Sequence, residues 1–326
     1  MKRFNQKYLI STAVGCFLLI LGNSCEEDKA SLPTVVTTPA VYLSVQSVIT
    51  GAIVTEDGGA AITERGICWS TSPGPVTSDN KLSDNTGLNQ FTCTLTDLDP
   101  DTPYYFRAYA VNSDGTGYGQ ELRFRTWNDE MVFDIDGNPY HTVTIGNQVW
   151  LVENLKVTHY RNSEPVELIT DNDAWGNLTS GAYCNYEHSS AHADVYGRLY
   201  NWFAVNDNRN LAPEGWHVAS DEEWSTLSAA VGGDAIAGGK LKEAGITHWH
   251  EPNADATNES GFSALPGGHR DYAGIYTYIN YGGGWWCSTG ENYNDAWIRY
   301  MDYGAFDTWR YLEDKRYGRS VRCVKD

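Results

Sequence analysis

The chain reads as two β-rich domains in tandem, an all-β sandwich followed by an α+β module, and three observations point there. Residues 33–126 hold short alternating strands between clusters of Gly, Asp, Asn and Pro, with no long helical period. Residues 131–326 mix short alternating runs with one clear amphipathic helix, SDEEWSTLSAAVGG. Between them WNDE, residues 127–130, reads as a short hinge. Each region is long enough to bury its own core, at about 100 and about 200 residues.

At the amino terminus Lys2, Arg3 and Lys7 precede an apolar stretch from Tyr8 to Leu21, and small residues then lead to Cys25. That order describes a secretory leader over residues 1–24 that ends at a lipid-attachment site. The expected mature chain starts at acylated Cys25, and more than one acyl chain holds a protein on a leaflet far better than one. The interrupted apolar stretch falls short of the about 20 residues a spanning helix needs. Glu26, Glu27 and Asp28 open an acidic linker at 25–32 that resembles the export tag of surface-displayed lipoproteins in some Gram-negative bacteria. The expected location is the outer face of the outer membrane, with the lipid bilayer as one partner through Cys25.

The formal net charge is −19, and loss of Lys2, Arg3 and Lys7 with the leader takes it to −22. Such acidity repels phosphate backbones and anionic headgroups, which excludes nucleic acid as a partner. Beyond Cys16 and Cys25, five cysteines remain at Cys68, Cys93, Cys184, Cys287 and Cys323. An odd count in an exported chain leaves at least one thiol free or intermolecular. Ten of the 12 tryptophans lie after residue 130, where core packing accounts for most of them.

Within the first domain GICWS, QFTCTLTDL and YYFRAYAVN alternate as half-buried strands do. Leu98, Pro100, Thr102 and Tyr104 form the corner pattern in which a tyrosine opens a strand and bonds back to the chain. With LTDLDPDTPYYFRAYAVNSDGTGYG and RFRT, residues 33–126 resemble a fibronectin type III domain of the immunoglobulin-like sandwich class, a module that spaces and presents other domains. Cys68 and Cys93 are either bridged or separate thiols, because a bridge needs a close approach that spacing does not fix.

In the second domain His141 to Ile145, a turn at Gly146 and Asn147, and Gln148 to Val152 predict a hairpin. A helical patch is expected at YGRLYNWFAVND, residues 196–207. The stronger helix starts where Ser220 caps the backbone and Glu223 reaches back, puts Trp224, Leu227, Ser228 and Val231 on one face, and stops at Gly232 and Gly233. Gly-rich aromatic loops and short strands then run to RSVRCVKD.

Read together, DIDGN, IGNQVWLVENL, YGRLYNWFAV, GWHVASDEEWSTL, TNESGFSALPGGHR, WWCST and GRSVRCVKD resemble the Fibrobacter succinogenes major paralogous domain from about residue 132 to 326. The resemblance implies an exported bacterial surface domain without naming its biochemical job. More distantly, HVASDEEWSTL and RSVRCV resemble the opening helix and closing strand of the formylglycine-generating-enzyme and C-type-lectin-like group. That implies a mixed fold with helices flanking twisted antiparallel strands and with long working loops. The oxidase chemistry of that group needs two neighbouring cysteines, and Cys287 and Cys323 are far apart. The paralogous-domain resemblance further implies a Cys184–Cys323 disulfide with Cys287 free.

Three constellations could carry function. Asp134, Asp136 and Asn138 alternate around Gly137 as the opening of a calcium loop does, although an Asp-Gly-Asn turn explains them without metal. No cofactor is expected beyond that optional Ca²⁺. Glu251, Pro252 and Asn253 spell a calcium-ligating lectin tripeptide, with Asn294 and Asp295 like its second half. Tyr293 stands where a tryptophan belongs, and coincidence is the better account. Third, Trp285, Trp309 and Tyr303, beside Asn294, Asp295, Arg299 and Asp302, supply flat rings and polar groups of the kind that hold sugars, with Trp286 and Trp297 assigned to the core. Scattered histidines and the lack of a zinc spacing, serine elbow or phosphate loop argue against an enzyme. Asp221, Glu222 and Glu223 suit the first turn of a helix anyway. The expected function is binding or adhesion towards glycan or cell-surface polymer. The alternatives are a structural or assembly part bound to a surface protein, and a hydrolase or oxidase acting on extracellular polymer.

Overall fold

Residues 30–326 are described by the computed structural model, so the leader, Cys25 and the acidic cluster at 26–28 lie outside the described residues. Alternation closes the first domain into two sheets. One contains β1 (Thr34–Ser44), β2 (Ser47–Glu56) and β5 (Asn89–Leu95). The other contains β3 (Glu64–Ser70), β4 (Asn80–Asp84), β6 (Pro103–Asn112), β7 (Gly115–Tyr118) and β8 (Leu122–Arg125), with β6 central. Val48, Ala52, Ile67, Leu95, Phe106 and Phe124 fill the space between them. The tyrosine corner forms as its spacing requires, with the Asp99 backbone N–H donating to the Tyr104 hydroxyl at 2.9 Å. Cys68 and Cys93 are separate buried thiols on opposite sheets. Ile67 points into the core, so its neighbour Cys68 faces the other way, while Cys93 points inward.

In the second domain the expected hairpin is Thr142–Ile145 and Gln148–Leu151, with Gly146 at φ +63° in the turn. Its second strand pairs with the chain's last strand, Cys323–Lys325, which in turn pairs with Trp216–Val218. Beside this sheet the helix Asp221–Ala230 starts on the full capping box of Ser220 and Glu223 and buries Trp224, Leu227 and Ser228. Gly232, at φ +110°, and Gly233 end it, and a second helix, Asp234–Leu241, follows. The patch at 196–207 holds less helix than expected. A two-residue strand, Leu199–Tyr200, precedes one turn at Trp202–Val205, because the Asn201 side chain accepts from Ala204 N–H and restarts the chain there.

A five-stranded sheet completes the domain in the order 276–279, 267–270, 282–290, 295–302, 309–314. Its central strand Gly282–Gly290 is covered on both faces. Trp285 joins Trp150, Trp224, Trp249 and Phe262 on one side, and Trp286 joins Trp202, Trp216 and Ile298 on the other. Among the described residues no helix is long and apolar enough to cross a membrane.

The expected Cys184–Cys323 bridge is not formed. Cys184 packs with Trp175, Tyr186 and Leu199, whereas Cys323 packs with Trp216 and Val321 in a separate cluster, and both are buried free thiols, as is Cys287. Burial pushes the Cys184 thiol up to about 11, so the reactive thiolate is scarce.

Where the domains meet, Trp127, in the segment expected as a hinge, stacks on Tyr42 at 4.8 Å between ring centres and lies 4.5 Å from His141. Its indole N–H donates to Gly261 O at 3.0 Å, and the Tyr42 hydroxyl donates to Arg125 O at 2.7 Å.

One polar knot ties the second domain together. Asn154 Oδ1 accepts from Trp285 Nε1 at 2.8 Å and from Arg322 Nε at 2.7 Å, while its Nδ2 donates to Tyr196 O. The other Arg322 nitrogens donate to Leu151, Phe262 and Ser263 carbonyls. Asn154→Ala strands two buried donors, one of them charged, and is expected to cost about 3 kcal/mol in chemical unfolding. A loss below about 1 kcal/mol would show that the knot carries little.

His217 lies between Glu223, 2.7 Å from its Nε2, and the terminal-residue Asp326, 2.7 Å from its Nδ1. Burial opposes its charge, but the two carboxylates outweigh burial and raise its pKa. A raised histidine stabilises the fold fully below the unfolded value of about 6.5, and that stabilisation fades as pH rises through the folded value. The melting temperature is therefore expected to fall between pH 6 and pH 8.5 by a margin that His217→Gln reduces, as measured by scanning calorimetry, with His248, raised by its Glu243 partner, supplying a further part.

Candidate functional site

Two neighbouring strands set the site by simple alternation. Ile298, Tyr300 and Asp302 share one face of Asp295–Asp302, and Trp309, Tyr311 and Glu313 share the same face of Trp309–Asp314, in register as Tyr300↔Trp309, Ile298↔Tyr311 and Ala296↔Glu313. Ile298, Tyr300, Asp302, Tyr311 and Glu313, together with His269, Tyr278 and Arg319, line an open trough of about 460 Å³, with Trp309 stacked beside Tyr300 outside that lining. Tyr278 and Tyr311 are 53% and 48% exposed, so their rings are presented to solvent.

Glycines clear the floor. A Cβ on Gly282 would lie 2.1 Å from the Tyr300 hydroxyl, and one on Gly284 would lie 2.6 Å from Arg319 Nη1. The bare backbone thus lets the Tyr300 ring and the Arg319 guanidinium lie flat across the strand. Tyr300 stacks at 5.9 Å on Trp309 and stands 6.4 Å from Tyr311. On the far side His269 stacks between Tyr278 and Tyr317, each 5.7 Å away, and Tyr317 continues to Tyr272 at 5.8 Å.

The polar groups are fixed. Arg319 grips Glu313 through two bonds of 2.5 Å, from Nε and Nη2. Its Nη1 is buried without a hydrogen-bond partner, as is His269 Nδ1, while His269 Nε2 meets Thr277 Oγ1 at 3.0 Å. Burial, helped by the Arg319 charge, pulls the His269 imidazole down to about 3, so it is neutral at ordinary pH. Asp302 accepts from Gly304 N–H at 2.9 Å. The trough therefore combines flat rings with two carboxylates, above polar atoms of Arg319 and His269 that are themselves shut off from solvent.

The residues singled out from the sequence do not converge. Trp285, expected to be exposed, is 0% exposed because its strand is sandwiched. Tyr303 belongs to a separate cluster with His250 and Tyr281. Trp309 alone of the three borders the trough, through Tyr300. Arg299, expected at a binding surface, is buried and donates to Asp221 and Ser225 beneath helix 221–230. Asn294 and Asp295 form a turn closed by Asn292 at one end of an eight-residue strand, with Asp302 at the other, roughly 20 Å away at the usual rise. Trp297, assigned to the core, is half-buried under the Arg310 guanidinium and donates to Glu291.

Asp134, Asp136 and Asn138 are likewise separated in role. Asp134 accepts from Asp136 N, Asn138 N, Asn138 Nδ2 and the Tyr140 hydroxyl, whereas Asp136 turns away to Thr158 and His159. The tripeptide residue Asn253 is buried and donates to Glu243 O and Gly245 O. Among the described residues no group of three or more His, Cys, Asp and Glu side chains is arranged to hold a metal ion.

Sequence reading missed Tyr278, Tyr300, Tyr311, His269, Glu313 and Arg319, and of the residues that line the trough it had named only Asp302. The signal was present in IRYMD and WRYLED, where an aromatic and an acid fall two residues apart on each of two adjacent strands.

Comparison with known proteins places this geometry in a family context. The family model described as the Fibrobacter succinogenes major domain matches residues 143–325. Among solved structures, the sensor domain of the anti-sigma factor RsgI4 in Pseudobacteroides cellulosolvens is similar at 17% identity, over 30% of this chain and 78% of that one, with a TM-score of 0.24. The third fibronectin III domain of the human KIAA0343 protein is similar at 14% identity, over 33% and 94%, with a TM-score of 0.22. The FN1–FN3 domains of chicken CNTN1 are similar at 19% identity, over 30% and 32%, with a TM-score of 0.23. No curated protein matches the chain.

Proposed function

The chain belongs to the Fibrobacter succinogenes major domain family, and on that premise we propose that it is a lipid-anchored bacterial surface protein that binds glycan or a related cell-surface polymer without turning it over. The observation that carries this reading is the trough between Tyr278, Tyr300 and Tyr311. Sugar rings stack their apolar C–H faces on aromatic rings while fixed polar groups take the hydroxyls, and the trough offers both. In this reading the second domain is a C-type-lectin-like module related to formylglycine-generating enzymes. The capped helix 221–230 beside the closing strand 323–325 supports that assignment. The fibronectin type III-like sandwich serves as the spacer between the anchor and the module.

Binding is tested on a glycan array with the full chain in detergent. Retention on at least one polysaccharide is expected, and Tyr311→Ala, which removes an exposed ring, is expected to weaken it about tenfold or more. Retention of no carbohydrate by folded protein would count against the reading. The anchor is tested separately, by fractionating bacteria that express the chain. Wild type is expected in the membrane fraction with an acylated amino-terminal Cys25 by mass spectrometry, and Cys25→Ala in the soluble fraction. An unprocessed amino terminus in the wild type would exclude lipid attachment.

A further inference from the structure

What solvent meets in the trough is aromatic and acidic, because its two basic side chains are buried. We infer that the ligand is an amino-polysaccharide, whose units bring a flat C–H face for a tyrosine ring and a protonated amine for the Asp302 carboxylate. The inference rests on the glycan-binding reading above and deepens it to one class of glycan.

Arg319 is 4% exposed, and its charge is matched by Glu313, which it grips through Nε and Nη2. His269 is neutral at ordinary pH, since burial holds its imidazole down to about 3. Neither therefore offers a cation to a ligand. Asp302 is different, because it is partly exposed and its carboxylate meets neutral donors, the Gly304 N–H at 2.9 Å and the Tyr300 hydroxyl at 3.4 Å. The buried Lys242 ammonium donates to backbone oxygens of Ala254, Asp302 and Ala305 and is shared among three acids, Asp302, Asp255 and Asp307. One cation does not cancel three. The trough is left with net negative charge, on a chain whose formal charge is −19.

The rings act in the same direction. Tyr311, 48% exposed, stands 6.4 Å between centres from Tyr300, whose hydroxyl reaches Asp302, so exposed ring and carboxylate belong to one continuous surface. Ring faces are themselves electronegative and attract an ammonium group. On the other side of the trough Tyr278 is held at φ +67°, a conformation that bulky residues avoid, and keeps 53% of its surface open while it stacks on His269. Rings and carboxylate together draw a cation and repel uronate or sulfate groups, whereas an uncharged sugar gains only the stacking. A lysine side chain would supply the cation without the flat face, so the surface suits an amino-sugar better than a basic peptide.

Titration calorimetry of the full chain in detergent tests this in mildly acidic buffer, where amines carry charge, with short oligomers of glucosamine, N-acetylglucosamine, maltose units and galacturonate, and with oligolysine. The glucosamine oligomer is expected to bind about tenfold or more tighter than any of the others, and to weaken as salt is raised. Asp302→Asn removes the charge but keeps an oxygen for the Gly304 N–H. It is expected to weaken glucosamine binding about tenfold at an unchanged melting temperature and to leave binding of the uncharged oligomers as it was. Equal or tighter binding of an uncharged or galacturonate oligomer overturns the inference and leaves the glycan reading standing. Undiminished glucosamine binding by Asp302→Asn also overturns it, because attraction to the acidic chain at large then accounts for the affinity. Equal binding of oligolysine overturns it in favour of a basic peptide, and failure of every sugar oligomer to bind removes both readings.

Discussion

A single buried amide governs how the second domain is put together. Asn154 offers one oxygen to two donors, the Trp285 indole and the Arg322 guanidinium, which come from the central strand of one sheet and the last strand region of the other. Arg322 is fully buried and lies 4.4 Å above the Phe262 ring, with carbonyl oxygens as its partners. Burial of a guanidinium without a carboxylate is expensive, and here several charge-assisted bonds to backbone oxygens offset it. The geometry of those carbonyls is demanding. It fixes the hairpin end at Leu151, the loop at Phe262 and Ser263, and the strand carrying Trp285 relative to one another, which sets where the five-stranded sheet lies.

The trough follows from that placement. Because Trp285 and Trp286 fill both faces of Gly282–Gly290, the preceding glycines are free of side chains just where Tyr300 and Arg319 need room. Backbone close to aromatic and guanidinium planes leaves shallow relief with hard edges, and Glu313 holds the Arg319 guanidinium in place through two of its nitrogens. The site is thereby pre-shaped on strands, whose positions vary less than those of loops. Binding to such a surface orders few side chains, which keeps the entropic cost of association low.

What could be read from the chain divides by distance along it. The tyrosine corner joins residues five apart, the capping box residues three apart, and the hairpin adjacent strands, so each was legible. The candidate site was not, because its assumptions depended on remote partners. Arg299 looked available until its bond to Asp221, 78 positions earlier, took it into the interior. Trp285 looked exposed by alternation, yet a strand covered on both faces has no outer side, and its partner Asn154 is 131 residues away. The cysteine pairing came from family resemblance alone, and the fold puts Cys184 and Cys323 in different clusters. Tyrosine was passed over for tryptophan, although Tyr300 and Tyr311 stood at the right period on neighbouring strands.

The junction between domains bears on how such a surface would be presented. Tyr42 from β1 stacks nearly parallel on Trp127, with 7° between the rings, and Trp127 packs against His141, whose Nδ1 meets Glu153 at 2.6 Å. Trp127 and Tyr42 also bond to backbone oxygens of Gly261 and Asn258 in the loop that supplies Phe262 to the Arg322 knot. Aromatic stacking, directional hydrogen bonds and the Thr144 hydroxyl on Asp101 all cross the same seam, so rotation of one domain against the other breaks several contacts together. A flexible tether would let an anchored module sample every orientation. A docked seam transmits the direction of β1 to the five-stranded sheet, so the trough keeps a fixed direction relative to the sandwich.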